Sequence, residues 1–150
     1  MDIHFSPVTR ENWLEVGRLE VRPDQQAFVA PNFVSLAESR FYPEMVPLAI
    51  YDGETLVGFW MYGYDPRESC WWIVRLMIDS RYQGRGYGRA AMQAAIAMLS
   101  SFAGCKAFKV SYDPENHAAE ALYLSLGFRP TGEVLDGETV AVYEAEGRGQ

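Results

Sequence analysis

Residues 83–89 have the sequence Gln83-Gly84-Arg85-Gly86-Tyr87-Gly88-Arg89, a loop with glycine at three alternate positions. Before it, Trp71–Ile78 is an apolar run broken only by Arg75, a pattern typical of a central strand. After it, Gly88–Phe102 is rich in Ala and Met, as expected of a largely buried helix. Glycines allow backbone N–H groups to converge, and a helix N-terminus adds a positive dipole. The stretch therefore predicts a nest for a phosphate group, in which Arg85 and Arg89 add positive charge.

Two well-known phosphate-binding loops do not fit these residues. A dinucleotide-binding fingerprint requires glycine three residues after Gly86, where Arg89 stands. A nucleoside-triphosphate loop requires Gly-Lys-Ser/Thr, which the stretch lacks. The remaining alternative is a glycine-rich turn that binds nothing.

The rest of the chain alternates between strand and helix patterns. We expect a helix capped by Thr9 that ends near Glu20, and a second short helix capped by Asn32. A third helix is expected at Asn116–Leu126, where Gly127 provides the stop signal. The other expected strands are Ile3–Val8, Leu48–Tyr51, Thr55–Tyr64, Lys106–Tyr112, Phe128–Glu133 and Val140–Tyr143. Together these elements predict an α/β domain with a mixed sheet.

Composition limits the class of protein. The chain has 17.0 kDa, 49% hydrophobic and 22% charged residues, which predicts one globular domain over 1–150 with a frayed tail at 146–150. No apolar run approaches the ~20 residues of a membrane span, and the N-terminal residues do not resemble a signal peptide. We therefore expect a cytoplasmic protein without membrane partners. Its few thiols and imidazoles form no zinc pattern, so we expect no metal; they are Cys70, Cys105, His4 and His117.

Charge is distributed unevenly along the chain. The formal net charge is −7, which argues against nucleic acid as a partner. Residues 71–110 are nevertheless basic, with Asp79 as their single acid. Their cations are Arg75, Arg81, Arg85, Arg89, Lys106 and Lys109. A basic middle in an acidic chain indicates an anionic ligand there and a cationic one nearby, although ordinary solvated surfaces would give the same pattern.

The loop and one further motif carry a family resemblance. Gln83–Gly88 resembles the Gln/Arg-x-x-Gly-x-Gly/Ala motif of the GNAT superfamily of acyl-CoA-dependent N-acetyltransferases. Asn116 followed by Leu122–Phe128 resembles the second motif of that superfamily. Asn116 and Tyr123 are seven residues apart, two helical turns, so both can face one side. The resemblance covers residues 3–143 and implies the GNAT fold, a mixed and mostly antiparallel sheet of six to seven strands with about four helices.

The same resemblance assigns roles to residues. It implies acetyl-CoA as cosubstrate, with its pantetheine arm paired to the backbone of Leu76, Met77 and Ile78 and its pyrophosphate held by N–H groups of Gly84–Arg89. Tyr123 would lie beside the thioester sulfur as general acid. The full set of expected cofactor-binding residues is Leu76, Met77, Ile78, Gln83, Gly84, Arg85, Gly86, Tyr87, Gly88, Arg89 and Asn116.

The general base is missing from both positions where related enzymes carry it. Those positions correspond to Val74 and Ser111, and neither residue is acidic. An ammonium with pKa near 10.4 is neutral only about 0.04% of the time at pH 7, and deprotonating it costs about 4.6 kcal/mol. A base or a proton relay is therefore expected to help. A water relayed from a carboxylate would serve, and the sequence does not choose among Glu20, Asp65, Glu68 and Asp113.

Residues 19–32 and 72–79 resemble the bacterial spermine/spermidine acetyltransferases of this superfamily. The resemblance implies a small-molecule amine as substrate, and the wider superfamily implies a homodimer. No Cys-His-Asp arrangement in the sequence supports an acyl-enzyme, so we expect direct attack in a ternary complex. Glu20, Asp24, Tyr62 and Asp65 are the candidate substrate-binding residues, because acids hold a polycation and aromatic faces contact its methylenes. Another small amine, an aminoglycoside, a protein N-terminus or a non-catalytic acyl-CoA-binding module remain alternatives. The acids also fit a solvated surface, and alternate aromatics on a strand also fit a core.

Overall fold

The strands within residues 1–145 form one seven-stranded sheet. The computed structural model describes residues 1–145, so the tail predicted at 146–150 lies outside the described residues. The strands are β1 Ile3–Pro7, β2 Met45–Asp52, β3 Thr55–Asp65, β4 Cys70–Ile78, β5 Ala107–Tyr112, β6 Arg129–Leu135 and β7 Glu138–Glu144. Their order in the sheet is β1-β2-β3-β4-β5-β7-β6.

All neighbouring strands run antiparallel except β4 and β5, which are parallel. Parallel neighbours need a long crossover, and here a helix between them provides it. The helices are α1 Trp13–Arg18, α2 Asn32–Phe41, α3 Tyr87–Ser100 and α4 His117–Leu126, with short 3₁₀ helices at Pro23–Gln25 and Ser80–Tyr82. The predicted mixed, mostly antiparallel sheet of six to seven strands with about four helices is confirmed.

Two predicted helix starts were wrong. The Asn12 side chain accepts a hydrogen bond from the Thr9 N–H at 2.7 Å, which forms a separate turn, and α1 begins only at Trp13. Asn32 lies inside α2 rather than capping it, because its buried amide donates to the Val16 carbonyl at 2.9 Å. That bond joins the first turn of α2 to α1, so Asn32 serves helix packing.

The helices cover the sheet on both faces. On one face, α3 and α4 pack on a cluster that contains Trp60, Ile73 and Phe128, and we call it the α3–α4 face. On the other, α1 and α2 pack on Phe59 and Met77 among others, and we call it the α1–α2 face. Burying apolar side chains on both faces makes the sheet the centre of the domain. Among residues 1–145, no helix has the length and apolarity needed to cross a bilayer.

Candidate active site

The sheet opens between its two parallel strands. β4 and β5 pair over Trp71–Ile73 and Phe108–Val110, and no further pair joins them in the described residues. Val74 falls where the register with β3 shifts, since Ile73 and Arg75 are opposite consecutive residues of β3, which is the arrangement of a β-bulge. Beyond it a cavity of about 570 Å³ lies between the strands, and residues 74–78 all line it. This edge of β4 therefore offers backbone groups to a ligand.

The glycine loop borders the same cavity. Gly84 and Gly86 have φ of +77° and +89°, a backbone conformation that is strained in residues with a side chain. Gly86 lies directly before the first turn of α3. Gly88 lies within that turn, where a Cβ would meet no atom within 4 Å. Neither backbone strain nor contact within the described protein requires glycine at position 88. The open space beside the N-terminus of α3 suits a ligand that approaches the backbone closely, as a pyrophosphate does.

Side chains fix the loop to its surroundings. The Gln83 amide donates to the Ile78 carbonyl at 2.9 Å and to Oε1 of Gln25 at 2.8 Å, which joins the loop to the end of β4 and to a 3₁₀ helix. The Tyr87 hydroxyl donates to Oδ2 of Asp52 at 2.5 Å, and this hydrogen bond is the main reason that the pKa of Asp52 is lowered. The loop is thus held in place from both flanks.

The two loop arginines are exposed and do not line the cavity. Arg85 lies 5.8 Å from the centre of the Tyr82 ring, and Arg89 donates to Oγ of Ser125 at 2.7 Å. The second contact joins the first turn of α3 to α4. Both guanidiniums therefore lie on the surface outside the cavity, where they raise the positive potential near the loop.

Asn116 and Tyr123 both line the cavity from α4. Oδ1 of Asn116 accepts the Ala119 N–H at 3.3 Å and so caps the helix. The Tyr123 ring lies 5.6 Å from that of Tyr112 and 5.7 Å from that of Phe128. The Phe128 N–H donates to the Tyr123 carbonyl at 3.1 Å, which closes the C-terminus of the helix against the sheet.

The phenol of Tyr123 is held in its neutral form. Burial is the largest cause that raises its pKa to about 12, followed by the negative charge of Glu138 and the nearby Tyr112. A phenol with this pKa keeps its proton throughout the physiological range. Tyr123 is therefore suited to donate a hydrogen bond or a proton inside the cavity.

The carboxylates expected to bind substrate lie outside this cavity. Asp24 is exposed beside Arg22 at 3.7 Å, and Asp65 lies 3.5 Å from Arg67. Glu20 lines a second cavity of about 570 Å³ between α1 and the start of α2. The structure does not bring these three acids together with Tyr123.

Tyr62 also lies away from the cavity. Its ring packs 5.3 Å from Trp60 and 5.7 Å from Phe102 on the α3–α4 face. Alternation along β3 places it among core aromatics, which is the interpretation that its sequence pattern also allowed.

Two further residues complete the wall of the cavity opposite β4. Ser111 on β5 donates through Oγ to Oε1 of Glu138 on β7 at 2.9 Å, and both line the cavity. Of the four carboxylates considered as relays from the sequence, Asp113 alone lines it. The sequence carries no local signal for Glu138, because the pairing of β5 with β7 is what brings it to Ser111. In the described residues, no group of three or more His, Cys, Asp or Glu is arranged to hold a metal ion.

The sheet that opens between β4 and β5 beside a glycine loop and a helix N-terminus has the arrangement that the GNAT resemblance implies for acyl-CoA-dependent acetyltransferases. The chain belongs to the acetyltransferase (GNAT) family, whose sequence model matches residues 12–128. It is 32% identical to the spermine/spermidine N(1)-acetyltransferase of Bacillus subtilis (strain 168), over 96% of this chain and 99% of the relative.

Solved structures share the fold at low sequence identity. AAC(6')-Ib in complex with ribostamycin and coenzyme A superposes with a TM-score of 0.82 and 12% identity, covering 99% of this chain and 97% of that one. The PaiA N-acetyltransferase of Thermoplasma acidophilum in complex with coenzyme A gives 0.70 and 14%, with 96% and 99% covered. The fold is thus that of enzymes crystallised with coenzyme A.

Proposed function

We propose that the protein transfers the acetyl group of acetyl-CoA to a primary amine of a polyamine such as spermidine or spermine, by direct attack. The observation that carries the proposal is the cavity itself, where the open edge of β4, the glycine loop, Tyr123 and two carboxylates meet. The relative from Bacillus subtilis, named for spermine and spermidine, supports the choice of acceptor.

The cofactor is assigned to the β4 wall of the cavity. Backbone groups of Leu76, Met77 and Ile78 are assigned to pair with its pantetheine arm as an added strand would, and the position of these residues in the cavity wall supports the assignment. N–H groups from Gly84 to Arg89 are assigned to the pyrophosphate, supported by the open space beside Gly88. Asn116 uses its carbonyl oxygen as a helix cap, so its NH₂ group is the part that serves the cofactor.

Tyr123 is assigned the role of general acid. Bound acetyl-CoA supplies an activated acyl group, and its sulfur departs as a thiolate that needs a hydrogen-bond donor. The buried phenol of Tyr123 keeps its proton for this purpose, because its pKa is raised to about 12. The cavity holds amine and acyl carbon in contact, which lowers the entropic part of the barrier.

The carboxylates that line the cavity favour a positively charged acceptor amine. Asp113 and Glu138 line the wall opposite β4. A polyamine carries several ammonium groups along a flexible chain, so one can react while another stays near a carboxylate. An aminoglycoside, a lysine or a protein N-terminus presents a different spacing of charges.

The homodimer and the cytoplasmic location stay predictions. Strand β6 forms an edge of the sheet with every residue exposed, which is compatible with pairing to a second copy.

The acceptor is tested by thiol release from acetyl-CoA. The panel is spermine, spermidine, putrescine, an aminoglycoside, lysine, a short peptide and a monoamine with the chain length of spermidine. We expect kcat/KM for spermidine or spermine to exceed that for the monoamine at least about tenfold, since one extra ionic contact of about 1.4 kcal/mol gives that factor. Faster release with the aminoglycoside or the peptide would contradict the polyamine assignment while leaving acetyl transfer intact.

A further inference from the structure

The contact between Ser111 and Glu138 has no role in the function proposed so far. Ser111 Oγ donates to Glu138 Oε1 at 2.9 Å, and Glu138 is only half-buried, so its carboxylate also faces the cavity. The Cα partner of Ser111 is Val140, two residues after Glu138 on the same side of β7. The register of two strands therefore fixes a carboxylate beside the gap.

This carboxylate and Tyr123 reach the gap from opposite faces of the sheet. The Tyr112 ring contacts Tyr123 on the α3–α4 face. Side chains alternate along β5, so the adjacent Ser111 lies on the α1–α2 face, and Glu138 lies with it. Amide formation requires a proton to leave the attacking nitrogen and another to reach the departing sulfur. Two proton-transfer groups on opposite faces match these two needs.

The other acids near the site are engaged elsewhere. Oδ1 of Asp113 accepts the Glu115 N–H at 2.9 Å in the turn before α4. Glu68 lies 3.4 Å from Lys109 on an exposed surface. Glu38 is paired with Arg75. Glu138 differs from Glu68 and Glu38 because its partner is a neutral hydroxyl rather than a cation, which leaves its negative charge available to an ammonium. It differs from Asp113 because its hydrogen bond joins two strands at the gap, whereas that of Asp113 stabilises a local turn.

We propose that the Glu138 carboxylate, positioned by Ser111, accepts the proton of the attacking ammonium; this inference rests on the proposed amine acetylation. The N–H bond of the ammonium breaks, its electron pair becomes the nucleophile, and the proton forms an O–H bond on Glu138. Glu138 thus supplies the function that is absent at both usual base positions, Val74 and Ser111.

The charged and titratable groups around Glu138 are compatible with this role. Tyr112 lines the same cavity from β5, and Asp113 from the residue after it. Arg75 lines the cavity from β4, Arg22 from the segment between α1 and α2, and Tyr123 from α4. The negative charge of Glu138 is one cause of the raised pKa of Tyr123. The ionised base therefore helps to keep the acid protonated before reaction.

The test is Glu138→Gln, which keeps the length and the hydrogen bond acceptor for Ser111 but accepts no proton. We expect kcat/KM with the best amine of the panel to fall about 100-fold at pH 7, within the range for loss of general base catalysis. The deficit should shrink to below about tenfold at pH 10, where about 30% of an amine with pKa near 10.4 is neutral. It should shrink likewise at pH 7 with an acceptor amine of pKa near 7, about half of which is neutral there. Affinity for acetyl-CoA, measured by calorimetry, should stay unchanged.

Two further variants separate proton transfer from structure. Ser111→Ala keeps the Glu138 carboxylate but removes the hydroxyl that donates a hydrogen bond to it. We expect kcat/KM to fall about fivefold to tenfold, as for loss of one hydrogen bond, and its pH profile to be retained. Glu133→Gln removes an exposed acid paired with Lys109 at 2.9 Å and should leave kcat/KM unchanged.

Each outcome decides the matter. A Glu138→Gln deficit that persists at pH 10 and with the less basic amine would overturn the assignment, as would no deficit at pH 7. If wild-type protein prefers an amine other than a polyamine, the polyamine proposal fails and the comparison is made with that amine. Wild-type protein that acetylates no amine of the panel would overturn both proposals.

Discussion

The glycine loop (residues 83–89) and the Ser111–Glu138 pair border one cavity, but they are built in opposite ways. The loop presents backbone from consecutive residues, and what it requires of them is chiefly the absence of side chains. The pair consists of side chains that are 27 residues apart and meet only when β5 and β7 align. A backbone site is therefore local and transferable, whereas the opposite wall depends on the register of the whole sheet.

Tyr123 lines the cavity that the glycine loop and the Ser111–Glu138 pair both border. We expect Tyr123→Phe to have the largest effect on turnover. Loss of the phenolic proton should lower kcat about 100- to 1,000-fold, in the range for general acid catalysis, with the acetyl-CoA Kd within about twofold. Stopped-assay turnover and calorimetry measure the two quantities. The matched variant Tyr112→Phe, whose hydroxyl donates to Glu120 at 3.2 Å, should lose less than about tenfold. Equal losses in both variants would refute the role of Tyr123 as acid.

Gly88→Leu tests the glycine loop without changing the Ser111–Glu138 pair. The new side chain should occupy the open space beside α3 and raise the acetyl-CoA Kd about 100-fold, equivalent to about 2.7 kcal/mol. The free energy of unfolding should stay the same or rise by about 0.5–1 kcal/mol, since glycine is a poor helix former.

The matched control for Gly88→Leu is Ala97→Leu, on an exposed position later in the same helix. It should leave both the Kd and the stability nearly unchanged. Unaltered affinity in Gly88→Leu would place the cofactor away from the N-terminus of α3. Loss of affinity in both variants would instead indicate a general distortion of the helix.

The smallest effect concerns the stability of the protein at alkaline pH. The pKa of Tyr123 is about 12 in the folded protein against 10 when unfolded. The folded state thus binds this proton more tightly, and its contribution is complete below pH 10 and lost as the pH rises to 12. Urea unfolding should show a loss of about 2 kcal/mol over this window that Tyr123→Phe lacks. Identical pH dependence in the two proteins would show that burial does not hold the phenol neutral.

The contrast between the glycine loop and the Ser111–Glu138 pair also explains which parts of the site the sequence could predict. The loop and the Asn116–Tyr123 spacing were identifiable because each is local in the chain. Alternate glycines mark the loop before α3, and helical periodicity puts Asn116, the cap of α4, on the same side as Tyr123. Ser111 was recognised as a base position without an acid, but its partner Glu138 was not found, because the register of β7 is a tertiary property. Asn32 was wrongly predicted as a helix cap for a similar reason, since its side chain is used in packing between helices.

The short seam between β4 and β5 has a mechanical consequence. Three residue pairs join the strands β1–β4 to the strands β5–β7 within the sheet, and the remaining interface is open. A ligand bound there contacts both parts of the sheet, and a fraction of its binding free energy opposes their separation. When the gap is empty, the two parts of the sheet are joined by these pairs and by the side chains of the α3–α4 face, whose cluster runs from Ile73 of β4 to Phe108 of β5. We therefore expect the free energy of unfolding to rise with the concentration of the acyl donor.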